Sequence, residues 1–239
     1  MLETTQARDH TERMLRWCGV DVGEAKVEAG GVRLSVSGDA RLVAKDLHVP
    51  ADLSSAAFFI VAAAFLDGSE IVMPNVGINP SRRAIVDVLK SLGIDIEISD
   101  EREVCNEPVG TLLVRGHANI AATQTQNLFS GSVIANMIDE IPILAVAGAQ
   151  LAGGLEIRNA SGVRVKEPDR IAATAENLRR MNAVVEEYED GFKVAKSDLK
   201  GAVIDSFGDH RIAMAFAIAG LLAEGETEIR GAESAAVSF

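Results

Sequence analysis

Cysteine is scarce in this 239-residue chain: Cys18 and Cys105 are the two present, with no paired spacing and no flanking histidine cluster. That excludes a disulfide framework and a zinc site, and it suits a reducing cytoplasm. Histidine is scarce too, and His10, His48 and His117 are scattered without metal-ligand spacing, so no metal is expected. Aromatic residues make up 4%, and 23 Lys and Arg face 35 Asp and Glu, for a net charge of -12. This balance opposes binding to nucleic acid or to an anionic membrane, and the few aromatics argue against an RNA-binding or RNA-end-processing protein. No basic-then-apolar leader opens the chain, and its apolar stretches fall short of the roughly 18 to 20 residues that span a bilayer. Glycine signatures for phosphate, G-x-G-x-x-G or a P-loop, are missing as well, and Gly30-Gly31 and Gly153-Gly154 read as turns.

Hydrophobic residues are plentiful at 48%, enough for a substantial core in one or two domains. They are arranged in a recurring order. Asp52-Leu-Ser-Ser-Ala-Ala-Phe-Phe-Ile-Val-Ala-Ala-Ala-Phe-Leu-Asp-Gly68 predicts an apolar helix with a Gly stop. A strand at 70–73, a basic-started helix at 82–93 and a strand at 95–98 follow. The order returns from Asp139, with a helix to Gly154, a strand at 155–158, a helix at 169–181 and a strand at 183–188. It starts a third time at Asp209, where Asp209 caps a helix over 210 to about 223, Gly225 stops it, and a strand at 226–230 leads on to Phe239. Three of the helices lack a polar face, which predicts burial on every side, with sheets outside them. The second helix of each unit is amphipathic: Ile85, Val88, Leu89 and Leu92 share one face, and Arg83, Asp87 and Lys90 the other. Residues 1–48 differ, with a helix at 9–17 and short alternating strands at 25–29, 31–36 and 41–45. They are expected to be the tail of another domain, with the boundary near Pro50 and the main domain over 49–239. Neither terminus is expected to be a finished domain edge.

The third apolar helix opens on His210 and Arg211, two potential cations at the positive end of the helix dipole. Placed there they imply that an anion is expected, against the chain's overall charge. The charged run Arg164-Val-Lys-Glu-Pro-Asp-Arg170 feeds another helix N-terminus and is a second anion candidate, the alternative being a solvated loop of ion pairs. Alternation sends Arg164 and Lys166 to one side, with Asp169 as a cap. Asp139 is read first as a helix cap. With Glu167 it is also the acidic pair that would lie beside the basic loops and move protons. Arg82 and Arg83 are expected on a solvated helix start.

Four segments in order, Ser54-Ser-Ala-Ala-Phe-Phe, Ile138-Asp-Glu-Ile-Pro-Ile, Arg164-Val-Lys-Glu-Pro-Asp-Arg-Ile and Asp209-His-Arg-Ile-Ala-Met-Ala-Phe, together resemble the EPSP synthases, the 3-phosphoshikimate 1-carboxyvinyltransferases. Arg8-Asp-His-Thr-Glu-Arg-Met-Leu adds a fifth match, so the resemblance runs from about residue 3 to Phe239. It implies transfer of the enolpyruvyl group of phosphoenolpyruvate to the 5-hydroxyl of shikimate 3-phosphate with release of phosphate, without metal or organic cofactor. It implies that Arg170 and Arg211 hold phosphoenolpyruvate, with His210 a neighbour of that site. Arg8 and Lys166 would contact shikimate 3-phosphate, Asp139 would take the proton of its attacking hydroxyl, and Glu167 would act at the methylene of phosphoenolpyruvate. The fold implied is α/β, mixed α+β, with repeated βαβαββ-type units forming a prism of buried apolar helices and outer sheets.

The family chain is nearly twice as long. Its first half supplies a Lys-Ser-and-Arg cluster, an Asn-Gly loop with an arginine and a Ser-Gln phosphate-binding segment, none of which occurs here. Val237 stands where some members have lysine, the family's continuation after Phe239 is absent, and Pro50-Ala51-Asp52 replaces Pro-Gly-Asp. The isolated chain is therefore expected to have negligible transferase activity and to need a separate N-terminal half. Alternatives are a transferase of the same group onto a UDP-sugar such as UDP-N-acetylglucosamine, and a catalytically incomplete anion-binding fragment.

Overall fold

The computed structural model describes residues 2–3, 8–27, 31–117, 120, 127–166 and 168–238. In chain order the elements are β1 (Leu2–Glu3), α1 (His10–Trp17), β2 (Val22–Lys26), β3 (Val32–Val36), α2 (Leu53–Phe65), β4 (Glu70–Gly77), α3 (Ala84–Ser91), β5 (Asp95–Val104) and β6 (Glu107–Arg115). They continue with β7 (Leu128–Phe129), α4 (Ser132–Ala135), α5 (Ile141–Gln150), β8 (Leu155–Ile157), a 3-10 turn (Ser161–Val165), α6 (Arg170–Arg180), β9 (Val185–Tyr188), β10 (Gly191–Val194), β11 (Val203–Asp205), α7 (His210–Leu222), β12 (Glu228–Arg230) and a second 3-10 turn (Ala232–Val237). The fold is mixed α/β, as expected.

Three times a short extended segment enters an apolar helix and the chain returns parallel to that segment. Ala51 bridges Val76 of β4 across α2, β7 lies parallel to β8 across α4 and α5, and β11 lies parallel to β12 across α7. Parallel neighbours require such a crossover, which is why each unit spends its most apolar segment on one helix. In the first two units an amphipathic helix and an antiparallel hairpin follow, α3 with β5 and β6, and α6 with β9 and β10. The second strands of those hairpins, β6 and β10, are additions to the strands read from the residues.

Capping acids fix where α2, α6 and α7 start. Asp52 accepts from Ser55 N at 3.1 Å, Asp169 from Ala172 N at 3.0 Å, and Asp209 from Arg211 N at 2.7 Å and Ile212 N at 3.1 Å. Helices α2, α5 and α7 pack against one another at the centre. Ala57, Ile60 and Val61 of α2, and Ile143, Leu144 and Val146 of α5, are completely buried. Phe59 of α2 is 42% exposed, and helix α7 also departs from the expectation of burial all round. Its first turns are buried, but Leu221 is 56% exposed, because β12 and the turn Ala232–Val237 cover one flank and leave another open. In α3 the expected apolar face, Ile85, Val88, Leu89 and Leu92, is buried.

Small residues allow the close helix-to-sheet approach. A Cβ on Gly148 of α5 would stand 2.6 Å from Leu155 Cβ of β8 and 2.7 Å from Val194 Cγ1 of β10. Gly148→Val is therefore expected to destabilise the chain by about 1–3 kcal/mol through overpacking, despite losing a helix glycine. A lowered urea midpoint with an unchanged slope is the check.

Three local expectations are corrected. Residues 41–45 are not a strand: Leu42 and Val43 are exposed, Val43 N donates to Cys18 O, and among the described residues no strand pairs with them. The strand placed at 25–29 lies earlier, at β2, with residues 28–30 outside the described set. Alternation also fails at 164–166, because residues 161–165 turn as a 3-10 helix. Its Arg164 reaches Asp169 at 2.6 Å, Glu187 at 3.1 Å and the Glu189 carbonyl at 2.7 Å, so Arg164 belongs to a surface ion-pair cluster.

Candidate functional site

The three apolar helices begin near one another, and their entrances gather the charge. Asp139 does not cap α5, because the N-cap position falls to Glu140, one residue later. Asp139 lies on the turn ahead of the helix, where its carboxylate meets three arginines. Arg8 Nη2 donates to Oδ2 at 2.6 Å, Arg170 Nη1 to Oδ1 at 3.4 Å, and Arg211 Nη2 stands 3.7 Å from Oδ2. Arg211 Nη1 also donates to the Asp139 carbonyl at 3.4 Å.

Each arginine arrives on a different element. Arg170 is the first residue of α6 and its side chain is 2% exposed, pinned by Nε to Asp209 Oδ2 at 2.9 Å. Asp209, fully buried, thus does two jobs: it caps α7 and it holds Arg170. A turn with Phe207 at φ 51° and Gly208 at φ 72° delivers it, two successive left-handed residues of which only the glycine is unstrained. Arg211 is the second residue of α7, and Arg8 precedes α1 with its side chain 44% exposed.

Burial is the largest single influence on the Asp139 carboxyl and pushes its pKa up. The Arg8 hydrogen bond and the charges of Arg211, Arg8 and Lys166 more than reverse it, leaving the value at about 2. Lys166 is exposed and belongs to this wall through its field. Four cations thus face the carboxylates of Asp139 and Asp209, a local positive excess inside a chain of charge -12. An anionic ligand is the natural complement of such an excess.

The depressed value carries a stability consequence. The folded pKa lies below the ordinary 3.8, so the ionised form stabilises the fold, by about 2 kcal/mol above pH ~4, and that contribution is lost as pH falls from ~4 towards ~2. Asp9, also lowered, adds to the same trend. Urea unfolding between pH 2 and 5 is expected to show a steeper loss of stability for the parent chain than for Asp139→Asn.

Of the residues singled out from the sequence, Asp139, Arg8, Arg170, Arg211 and Lys166 come together. His210 opens α7, half-buried, and no hydrogen bond or ion pair among the described residues ties it to Asp139. Glu167 lies outside the described residues. Arg82 corrects the expectation of a solvated helix start: its side chain is 14% exposed, donates to Ser54 Oγ at 2.5 Å and lies 3.5 Å from Asp52. Arg82, Ser54 and the buried Glu140 were not anticipated as a group. The signal was present in the repeat, because Arg82 and Arg170 stand at nearly the same spacing from the acid that opens their unit, Asp52 and Asp139. A cleft of about 430 Å³ opens beside Arg82, lined also by His10, Met14, His48, Leu53 and Glu107. It does not include Asp139, Arg170 or Arg211. Among the described residues no cluster of His, Cys, Asp or Glu suits a metal ion, and no helix is long and apolar enough to cross a membrane.

A family model for EPSP synthase (3-phosphoshikimate 1-carboxyvinyltransferase) matches residues 2–239. Similar curated proteins include the 3-phosphoshikimate 1-carboxyvinyltransferases of Synechococcus sp., 44% identical over 99% of this chain and 52% of its own length, and of Pelotomaculum thermopropionicum, 47% identical over 99% and 53%. Among solved structures, EPSP synthase from Acinetobacter baumannii superposes with a TM-score of 0.85 at 36% identity, covering 98% of this chain and 52% of that one. The chain spans about half the length of the curated relatives it matches. On the match along its length, and with the arginine wall at the positions the motifs pointed to, the chain belongs to the EPSP synthase family.

Proposed function

We propose that this chain is the C-terminal half of a transferase that moves the enolpyruvyl group of phosphoenolpyruvate to the 5-hydroxyl of shikimate 3-phosphate, releasing phosphate. The observation that carries this is the convergence of Arg8, Arg170 and Arg211 on Asp139, in the field of Lys166. Both substrates are multiply anionic, and orienting them together requires cations to offset their mutual repulsion. In this account Arg170, Arg211 and the neighbouring His210 address phosphoenolpyruvate, and Arg8 and Lys166 address shikimate 3-phosphate. Asp139 removes the hydroxyl proton as the oxygen bonds to C2 of phosphoenolpyruvate, and a proton is delivered to the methylene carbon, for which Glu167 is the group proposed. Loss of a proton from the resulting methyl group and of phosphate from the tetrahedral intermediate gives the product.

A carboxyl held at about 2 is a weak base at neutral pH. Substrate binding would correct this, because phosphate and carboxylate groups engaging Arg8, Lys166 and Arg211 withdraw the charges that depress it. Asp139 is thus tuned as a base by the substrates themselves. Residues 1–48 are proposed as the tail of one domain and 49–239 as the other. The chain alone is proposed to turn over negligibly, because its relatives are about twice as long. The unpaired thiols of Cys18 and Cys105 suit the reducing cytoplasm in which we place the reaction.

The test is binding by a complex of this chain with the N-terminal half of the Synechococcus relative. Shikimate 3-phosphate is expected to bind, and UDP-N-acetylglucosamine is not. Preference for the UDP-sugar would overturn the assignment, and turnover by the chain alone would overturn the proposal that it needs the N-terminal half.

A further inference from the structure

Behind the arginine wall lies a second polar cluster that the proposed chemistry does not use. Glu140 is 3% exposed and occupies the N-cap position of α5, yet its side chain makes no cap hydrogen bond. It turns instead to α2, where it accepts a short hydrogen bond from Ser54 Oγ. Ser54 is 1% exposed, and its hydroxyl accepts in turn from Arg82 Nη2 at 2.5 Å. One hydroxyl donates once and accepts besides, so Arg82, Ser54 and Glu140 form a directed chain of donors. Arg82 ends it beside Asp52, the cap of α2.

This chain sits one peptide away from Asp139. Asp139 lies on a turn, without a helical ladder to hold it, and Glu140 N donates to Met137 O at 3.0 Å. The Asp139 carbonyl is gripped from α7 by Arg211, and the next residue is gripped from α2 through Glu140. A buried carboxylate is costly where an apolar residue would fill the same space, so its retention calls for a role.

We propose that Glu140 is a positioning residue for Asp139: anchored to Ser54 and Arg82, it fixes the turn so that the Asp139 carboxylate meets Arg8, Arg170 and Arg211. Its relevance to turnover rests on the function proposed above, whereas the geometry does not. The charged groups that act on Glu140 are Arg82 and Arg211, which favour its ionised form, and Asp139, which opposes it. Burial dominates and pushes its pKa up.

The test follows Asp139 by carbon-13 NMR of its carboxyl through an acid titration of this chain. In the parent it is expected to titrate at about 2. Glu140, its own pKa raised, is already neutral where Asp139 titrates, so Glu140→Gln keeps that charge state and an acceptor for Ser54, and Asp139 is expected to stay near its parent value. Glu140→Ala and Ser54→Ala break the anchor, and Asp139 is expected to rise by about one unit towards 3.8 as its arginine contacts loosen. Should Glu140→Ala fail to fold, the milder Ser54→Ala decides. Asp139 unmoved in the alanine variants that fold, or moved equally by glutamine, would overturn the proposal. In the two-chain complex the alanine variants are expected to lower kcat by about ten- to a hundredfold with KM little changed, and glutamine to restore it. An unreactive parent complex together with the NMR shift would reject the transferase assignment and leave the positioning role standing.

Discussion

Replacing Arg170 with methionine is expected to destabilise the chain by about 3–5 kcal/mol, measured by urea unfolding at neutral pH. Methionine nearly matches the length of the arginine stem, so little packing is lost; what disappears is the charge. Asp209, completely buried, would lose the guanidinium 2.9 Å away, and Asp139 would lose its innermost partner. A carboxylate stranded in that environment costs far more than the ion pair contributes when intact. The double variant Arg170→Met with Asp209→Asn should recover much of the loss, because the uncompensated charge is gone and the cap survives in weaker form. A loss below about 1 kcal/mol for the single variant would mean that the pair is solvated after all.

Asp139→Asn is expected to lower kcat of the two-chain complex by about a hundred- to ten-thousandfold, with the complex still assembled and still binding shikimate 3-phosphate. Asparagine keeps the outline of the carboxylate and an oxygen for Arg8, but it cannot take up a proton. Phosphate release under saturating substrates gives the comparison. Activity within about tenfold of the parent would remove Asp139 from the role of base.

Much of this site was legible because helix entrances are written locally. Asp209 followed by His210, Arg211 and an unbroken apolar run declares both a cap and a misplaced pair of cations, and the structure gives that cap two backbone N–H partners. Repetition supplied the element order, since each unit places an apolar helix before a strand and the first two place an amphipathic one after it.

What escaped depends on partners distant in sequence. Asp139 resembled a cap because nothing near it in the chain shows that Arg8, 131 residues away, will reach it. Arg82 looked solvated for the same reason: its partners Ser54 and Asp52 belong to the start of another helix. Residues 164–166 alternate like a strand, but side-chain pairing of Arg164 with Asp169 and Glu187 favours a compact turn there. Residues 41–45 have strand composition, but among the described residues no neighbour accepts a ladder from them.

The wall of Arg8, Lys166, Arg170 and Arg211 around Asp139 is proposed as one side of a site for two phosphorylated acids. Its most direct test is phosphate release from phosphoenolpyruvate on mixing this chain with the N-terminal half of the Synechococcus relative and shikimate 3-phosphate. Turnover is predicted from the mixture, from neither half alone, and not when Arg211→Ala and Lys166→Ala are combined in this chain. An assembled complex that releases no phosphate, or one that the double substitution leaves fully active, would contradict the account.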